Sequence, residues 1–173
     1  MPHQRPQPHE YHPFYDTYVS LVGPDPVLHT LESSGVRTRA LLGRVPDDQA
    51  DHTYAPGKWT VRQVVRHVID TERVFAARAL RAARHDRTPL PGFDQDAWMN
   101  AADDAHVPLS ALSEEFSAVR ASTLALLRHL PPTGWDRAAH ANGADVTVRA
   151  LAYMIAGHEL HHVRGLQERY GLR

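Results

Sequence analysis

Apolar residues recur at three- and four-residue steps in four stretches of the chain, which is the spacing of amphipathic helices. Thr60 followed by Gln63 is typical of a capping box that opens the second helix. Asp25 and Thr147 are expected to be the N-caps of the first and fourth helices. The predicted helices extend from about Pro26 to Val45, Thr60 to Arg84, Leu109 to Leu130, and Thr147 to a residue before Gly171.

The segments between these helices show no strand-like alternation of useful length, so the sequence predicts an all-α four-helix bundle. The connection from His85 to Val107, which we expect to lack regular structure, reaches about 75 Å when extended. It can carry the chain back along the bundle, so that the second and third helices run parallel. Its Phe93, Asp94, Asp96 and Trp98 suit either a lid over one end of the bundle or a surface loop anchored by the two aromatic rings.

Composition narrows the class of protein. A chain of 173 residues is large enough for one well-packed domain and short for two. Nineteen basic residues against 20 acidic residues give a formal net charge of -1, which disfavours nucleic acid and membrane surfaces as partners. The chain contains no cysteine, so a metal ion would have to be held by His, Asp or Glu.

The start of the chain lacks the apolar run of a signal peptide, and no apolar stretch approaches membrane-spanning length. We therefore expect a cytoplasmic protein. Residues 1–9 are expected to form a disordered leader, and the aromatic segment 10–24 is expected to pack on the outside of the bundle.

A pair of histidines in the fourth helix is the first indication of chemistry. His158 and His162 lie four residues apart, so they project from one face of a helix and can hold one metal ion between them. Leu151, Ile155 and Leu166 continue the same stripe, which turns both imidazoles inward. A buried imidazole must be satisfied, so the pair predicts either a metal site or a hydrogen-bonded structural pair, with metal favoured.

The same stretch matches the H-E-x-x-H pattern of zinc proteases, in which Glu159 would be the general base. Those enzymes need a third ligand downstream and usually a sheet beside the helix to align a peptide. Only Val163 to Arg173 follow, and no strand is evident, so the protease interpretation is disfavoured.

Three separated motifs together resemble those of the DinB/YfiT-like family of metal-dependent enzymes, over roughly Asp25 to Leu172. They are Pro56 to His67 (PGKWTVRQVVRH), Leu90 to Asp94 (LPGFD) and Ala156 to His162 (AGHELHH). The resemblance implies a single domain with an up-down-down-up four-helix bundle, often dimeric. It also implies a divalent metal ion held by three histidines, which correspond here to His67, His158 and His162.

Three protein ligands leave coordination positions open, which is typical of a catalytic site, and zinc and nickel both suit imidazole. Characterised members of the family that the chain resembles include transferases and isomerases that use a small thiol such as bacillithiol, mycothiol or glutathione. We therefore expect a thiol to be activated on the metal for reaction with a small-molecule substrate. A hydrolase of small molecules that uses metal-bound hydroxide, with Glu159 as its candidate base, remains an alternative. A metal-dependent binding or stress protein without turnover is a third possibility.

Other residues have weaker indications. Asp70, one turn beyond His67, and Glu159 are expected either to orient an imidazole or to be solvated helix charges. Arg120 and Arg149 are expected either to bind an anionic thiol cofactor or simply to solvate the bundle surface.

A second apolar strip runs along the fourth helix, opposite the ligands, and contains Ala152, Ala156, Leu160 and Val163. A helix that is apolar on both sides is covered on both, either by neighbouring helices or by a second subunit. The family resemblance favours a homodimer with a twofold interface.

Overall fold

A computed structural model describes residues 4–173. Four long helices form a bundle, as predicted, and a short helix precedes the first of them. Another short helix and a two-stranded hairpin lie in the connections between the long helices. The elements are α1 Asp16–Val19, α2 Val27–Leu42, α3 Val61–Ala83, α4 Gln95–Ala101, α5 Leu109–Arg128, β1 Ala138–Ala141, β2 Ala144–Thr147 and α6 Val148–Glu168.

Ion pairs between the helices show the direction of each. Arg66 of α3 pairs with Glu115 of α5, and further along both helices Glu72 pairs with Arg120, so α3 and α5 run parallel. Glu32 near the start of α2 pairs with Arg128 at the end of α5, so these two helices are antiparallel. 

The α3 and α6 helices are also antiparallel, because the carbonyl of Trp59 before α3 accepts a hydrogen bond from Tyr170 after α6. The bundle is therefore up-down-down-up, as the resemblance implied. Within it α2 neighbours α5 and α6, and α3 neighbours the same two helices.

The helix starts follow their capping signals closely. Thr60 and Gln63 form the predicted capping box of α3, and the Thr147 hydroxyl accepts the backbone N–H of Ala150 at the start of α6. The first long helix begins one residue later than expected, with Pro26 rather than Asp25 as its N-cap. Pro26 has the extended ψ of a cap, 133°, and its carbonyl accepts the first helical hydrogen bond, from Thr30.

The expectation that the chain has no strands is wrong for β1 and β2. They pair antiparallel with Ala138 opposite Thr147 and Ala141 opposite Ala144. The turn between them is Asn142-Gly143, with φ of 52° and 80°, which is the conformation that a type I′ hairpin needs.

The connection between α3 and α5 is also more regular than expected. Asp94 caps α4, because its carboxylate accepts the backbone N–H groups of Asp96 and Ala97. The backbone of Leu90 pairs with the hairpin through His140 and Asn142. The first half of the connection is therefore bound to the hairpin, and its middle forms a capped helix.

The N-terminal segment lies on the bundle beside α6. Arg5 donates to the backbone carbonyls of Val19 and Val22, both 1% exposed, and Glu10 accepts hydrogen bonds from Thr147 and Arg149. Within residues 4–9, the hydrogen bonds of Arg5 and the burial of Pro6 differ from the expectation of a disordered leader, whereas the other four residues are exposed. Residues 1–3 of that expected leader lie outside the described residues. No helix in residues 4–173 is long and apolar enough to cross a membrane.

The core of the bundle is divided along its length into two apolar clusters. One packs the ends of α3 and α5 and the start of α6 around Trp135 and the hairpin, and the other packs the start of α3 and α5 around Phe116. Polar side chains occupy the level between them. The buried polar residues at this level are Ser34, Thr38, His67, Thr71, Glu72, Arg120, Thr123, His158 and Glu159. We refer to them as the polar layer.

Candidate metal centre

Three imidazoles meet on one side of the polar layer. The Nε2 atom of His158 lies 2.9 Å from Nε2 of His67 and 3.1 Å from Nε2 of His162. The three candidate ligand atoms all lie within 4.8 Å of one another. The structure therefore brings together the three predicted ligands, one from α3 and two from α6.

Hydrogen bonding alone does not account for this convergence. The Nε2 atom of a neutral His158 carries either one proton or one lone pair, whereas two other ring nitrogens lie within hydrogen-bonding distance of it. Nitrogens bound tetrahedrally to zinc at about 2.0–2.1 Å lie about 3.3 Å apart. Two of the three separations are close to this spacing, and all three nitrogens lie within 4.8 Å of one another, so the side chains fit a divalent ion once the wider pair closes around it.

Burial keeps the imidazoles neutral, which is the form that binds a metal. His67 and His158 are only 3% and 4% exposed. Desolvation, reinforced by the charge of His161, lowers the pKa of His67 to about 4. Desolvation, together with the charges of His67 and His161, lowers the pKa of His162 to about 3. Burial, aided by the neighbouring histidines, also places the pKa of His158 well below its usual value.

Aromatic side chains hold the imidazoles in place. The Trp59 ring lies 4.8 Å from that of His67, and the Tyr18 ring packs edge-on against His158 at 5.1 Å. Tyr18 reaches this position because Gly157 has no side chain. A Cβ at residue 157 would lie 2.0 Å from the carbonyl oxygen of Tyr18.

Asp70 does not orient an imidazole. Its carboxylate lies 3.4 Å from Arg73 and 3.9 Å from Arg66, and burial raises its pKa. The group that approaches the Nδ1 atom of His67 is the hydroxyl of Thr71, at 3.5 Å. Thr71 was not among the predicted residues, although its position one helical turn after His67 could have indicated it.

Glu159 is turned away from the metal centre. Its two carboxylate oxygens accept hydrogen bonds from Ser34 and Thr38, each at 2.6 Å, and from Arg120 at 2.9 Å. Among the described residues no hydrogen bond joins it to an imidazole. Its contacts therefore support neither the expected role in orienting His158 nor the role of base in the hydrolase alternative.

The two arginines expected to bind an anion, or to solvate the surface, are instead buried in ion pairs. Arg120 is 4% exposed and binds Glu72 and Glu159 inside the bundle. Arg149 is 8% exposed and binds Glu10 and Asp136 at the start of α6. 

A cleft of about 730 Å³ leads to the metal centre. His162 lines it, together with Trp59 and the last turns of α6. Gln95 and Asp96 of α4 form part of its wall, and Lys58, Arg164 and Arg169 also line it. The rings of Phe93 and Trp98 lie 4.7 Å apart and pack on each other, while Trp98 remains 42% exposed. The connection that contains α4 thus borders the cleft.

Comparison with known proteins agrees with this site. A family model described as the DinB superfamily matches residues 30–165. A protein of Oceanobacillus iheyensis named as a proposed metal-dependent hydrolase is 25% identical over 138 residues, which cover 79% of each chain. YfiT of Bacillus subtilis, which bears the same kind of name, is 24% identical over 146 residues, covering 83% of this chain and 82% of YfiT.

Solved structures share the architecture. The structure of YfiT from Bacillus subtilis, described as an unusual four-helix bundle, superposes with a TM-score of 0.71 at 23% identity, over 98% of this chain and 95% of YfiT. A DinB-like protein of the same organism, YjoA, has a TM-score of 0.60 at 21% identity, over 81% of this chain and 85% of YjoA. At these identities the likeness shows the fold. Because the family model spans the bundle from α2 to α6 and includes all three histidines, this chain belongs to the DinB superfamily.

Proposed function

We propose that this protein is a metal-dependent enzyme that activates a small thiol and transfers it to an electrophilic substrate, or uses it in an isomerisation. The observation that carries the proposal is the convergence of three neutral imidazoles beside an open cleft, with no carboxylate of residues 4–173 in the cluster. His67, His158 and His162 would hold a divalent ion, with zinc or nickel as the best matches to an all-imidazole set. When bound, such an ion supplies a Lewis acid that lowers the pKa of a thiol or water in its open positions.

The surroundings favour a thiol over water as the nucleophile. Asp70 and Glu159, the carboxylates nearest in sequence to the ligands, face arginines rather than the imidazoles, and neither lines the cleft. A thiol, with a pKa much closer to neutral than that of water, becomes a thiolate beside a cation without a protein base. The chain contains no cysteine, so the thiol would come from a cosubstrate such as bacillithiol, mycothiol or glutathione.

The charges lining the cleft support the same interpretation. Lys58, Arg164 and Arg169 line its walls and suit the carboxylates that bacillithiol and glutathione carry. Arg164 is paired with Glu168 at 2.7 Å and Arg169 contacts the Tyr54 hydroxyl at 3.5 Å, whereas Lys58 lines the cleft and is exposed. Lys58 is therefore the residue that we expect to contribute most to cosubstrate binding.

A hydrolase of small molecules is the second candidate. Relatives are named as proposed metal-dependent hydrolases, and Asp96 lines the cleft with a carboxylate that could accept a proton from water. Asp96 replaces Glu159 as the candidate base because Glu159 is buried away from the cleft.

Two assays on the zinc- and nickel-loaded protein separate these candidates. Conjugation of a model electrophile that requires one of the three thiols, and that is lost in His158→Ala and in His162→Ala, would support the transferase. Ester or amide hydrolysis in thiol-free buffer that is lost in Asp96→Asn would support the hydrolase instead.

If both assays are negative, absorption spectroscopy of the cobalt-substituted protein tests whether a thiol binds to the metal. A thiol that enters the coordination shell of the cobalt-substituted protein changes its absorption spectrum. If neither activity nor such a change is seen, the thiol proposal is overturned and a metal-dependent binding or stress protein takes its place.

A further inference from the structure

The half of the polar layer that faces away from the cleft is a closed network of charges. Arg120 donates to both oxygens of Glu72, at 2.8 Å each, and to Glu159 at 2.9 Å. Ser34 and Thr38 donate to the remaining acceptor sites of Glu159 at 2.6 Å. Arg120, Glu72 and Glu159 are 4%, 2% and 1% exposed, so the whole network is dry.

This network joins all four long helices at one level. Ser34 and Thr38 belong to α2, Glu72 to α3, Arg120 to α5 and Glu159 to α6. The carbonyl of Leu31 in α2 also accepts from Arg120, at 2.7 Å. Because charge-assisted hydrogen bonds depend strongly on direction, each helix can shift or rotate only by breaking at least one of them.

Stability alone is a weak reason for such a network. Two carboxylates and one guanidinium bring a net negative charge into the core, and desolvation of buried ions commonly offsets their attraction. Apolar side chains of similar volume would give comparable or greater stability. Apolar side chains, however, do not fix the rotation of each helix about its axis as directional hydrogen bonds do.

The positions of the network residues along α3 and α6 make that rotation relevant to the metal centre. Glu159 follows His158 directly, so the two side chains point about 100° apart around the same helix. Fixing Glu159 on one side of α6 therefore fixes the direction of His158 on the other. Glu72 likewise follows Thr71, whose hydroxyl contacts His67.

We propose that Glu159, Arg120 and Glu72 are positioning residues that set the rotation of α6 and α3, so that the ligand nitrogens of His67, His158 and His162 converge on one ion. This inference rests on the proposed metal site. It assigns the network a role in metal affinity and coordination geometry, separate from its contribution to folding.

A second ion pair on α6 provides a matched control. Arg149, in the first turn of α6, binds Glu10 at 3.1 Å, and Glu10 is 7% exposed. Glu10→Ala therefore also removes a buried carboxylate from an ion pair that involves α6. Arg149 lies more than two turns before His158 on α6, so Glu10→Ala is expected to reproduce the loss of stability without changing the orientation of the two ligands on that helix.

The experiment compares cobalt binding by Glu159→Ala, Glu159→Gln and Glu10→Ala in proteins whose circular dichroism matches the wild type. We expect Glu159→Ala to bind cobalt at least tenfold more weakly and to alter its visible absorption spectrum. Glu159→Gln retains the shape and one acceptor oxygen for Ser34 and Arg120, and the Thr38 hydroxyl can rotate to accept from the amide N–H, so this variant should restore most of the affinity. Glu10→Ala should bind cobalt with an affinity within about twofold of that of the wild type. A tenfold loss of affinity corresponds to about 1.4 kcal/mol, and within the described residues the Glu10 carboxylate makes no hydrogen bond through which such a change could reach the ligands.

Thr38 provides a milder pair of variants in case Glu159→Ala fails to fold. Thr38→Val removes one donor to Glu159 at constant shape, whereas Thr38→Ser keeps the hydroxyl. We expect the cobalt spectrum and affinity to change in Thr38→Val and not in Thr38→Ser.

Wild-type affinity and spectrum in both Glu159→Ala and Thr38→Val would overturn the positioning role and leave the metal site intact. A wild-type protein that takes up no cobalt would instead overturn the proposed function, and this inference with it.

Discussion

At the scale of single residues, the contact between Gly157 and Tyr18 sets how closely the N-terminal segment approaches the metal centre. Because a Cβ at position 157 would overlap the backbone of Tyr18, Gly157→Ala must displace α1. We expect a loss of about 1–3 kcal/mol in the free energy of unfolding, measured by urea denaturation. Gly165→Ala is the matched control, since a Cβ there meets nothing within 4 Å, and it should stabilise the helix by about 0.5–1 kcal/mol. Equal effects at both positions would contradict the role of the contact.

The choice between two adjacent imidazoles is also decided residue by residue. His162→Ala should greatly reduce metal content, because its Nε2 atom is one of the three that converge. His161 is exposed, and its ring lies against Tyr18 at 5.4 Å, so His161→Ala should retain the metal. Plasma mass spectrometry after dialysis measures the difference. Equal metal loss in the two variants would mean that the ligand set has been assigned wrongly.

Single residues also mark the limit of what the sequence could predict. Helical spacing and motif resemblance placed His67, His158 and His162 correctly on their elements, and the structure brings them together. The same reasoning did not find the partners of Asp70 and Glu159. A helical wheel gives the direction in which a side chain leaves its helix. It does not give the arginine that pairs with the side chain, because that arginine lies on another element or another turn, and only the packing of the fold determines its position.

At the scale of elements, the four long helices were predictable because each has a periodic apolar stripe and a capping residue or a proline at its start. The hairpin was missed because β1 is Ala-Ala-His-Ala, which lacks the β-branched residues that indicate a strand. Its Asn142-Gly143 turn was a usable signal. The seven-residue α4 is too short to show a period.

Removal of the α4 cap should affect that element alone. Asp94→Ala loses two hydrogen bonds to the first turn, which costs the helix about 1 kcal/mol. We expect faster hydrogen exchange over residues 95–101 and unchanged exchange in α5. Asp103→Ala, an exposed aspartate just after the helix, serves as the control. Unchanged exchange in Asp94→Ala would show that α4 is held by its packing rather than by its cap.

At the scale of the whole molecule, stability should depend on pH through the buried imidazoles. His67 and His162 have pKa values of about 4 and 3 in the folded protein, against about 6.5 when unfolded. Between these values the unfolded chain binds more protons, so the metal-free protein becomes less stable as the pH falls below 6.5.

From pH 7 to pH 5 we expect a loss of about 2 kcal/mol for each of these two histidines, measured by urea denaturation of the metal-free protein. His162→Gln cannot titrate and should lose correspondingly less. A variant as sensitive to pH as the wild type would contradict the assignment of the effect to this imidazole.

Assembly is the second property of the whole molecule. The apolar strip on α6 that suggested a dimer is partly covered within the chain, because Ala152 and Ala156 are fully buried beside α1 and α2. Leu160 and Val163 are only partly buried. The homodimer therefore remains a prediction, and its expected interface is now limited to the part of the strip that contains Leu160 and Val163. Light scattering should give twice the mass of one chain, and a concentration-independent monomer would remove the prediction.

The polar layer has a consequence for how this chain can change over evolutionary time. It separates the apolar cluster around Trp135 and the hairpin, which lies away from the cleft and is called distal, from the proximal cluster, which includes Trp59 and Tyr170 beside the cleft. Substitutions that change the shape of the cleft alter the packing of the proximal cluster, whereas the packing of the distal cluster stays the same. Selection for a new substrate can therefore act on one half of the interior, while the other half continues to hold the fold together.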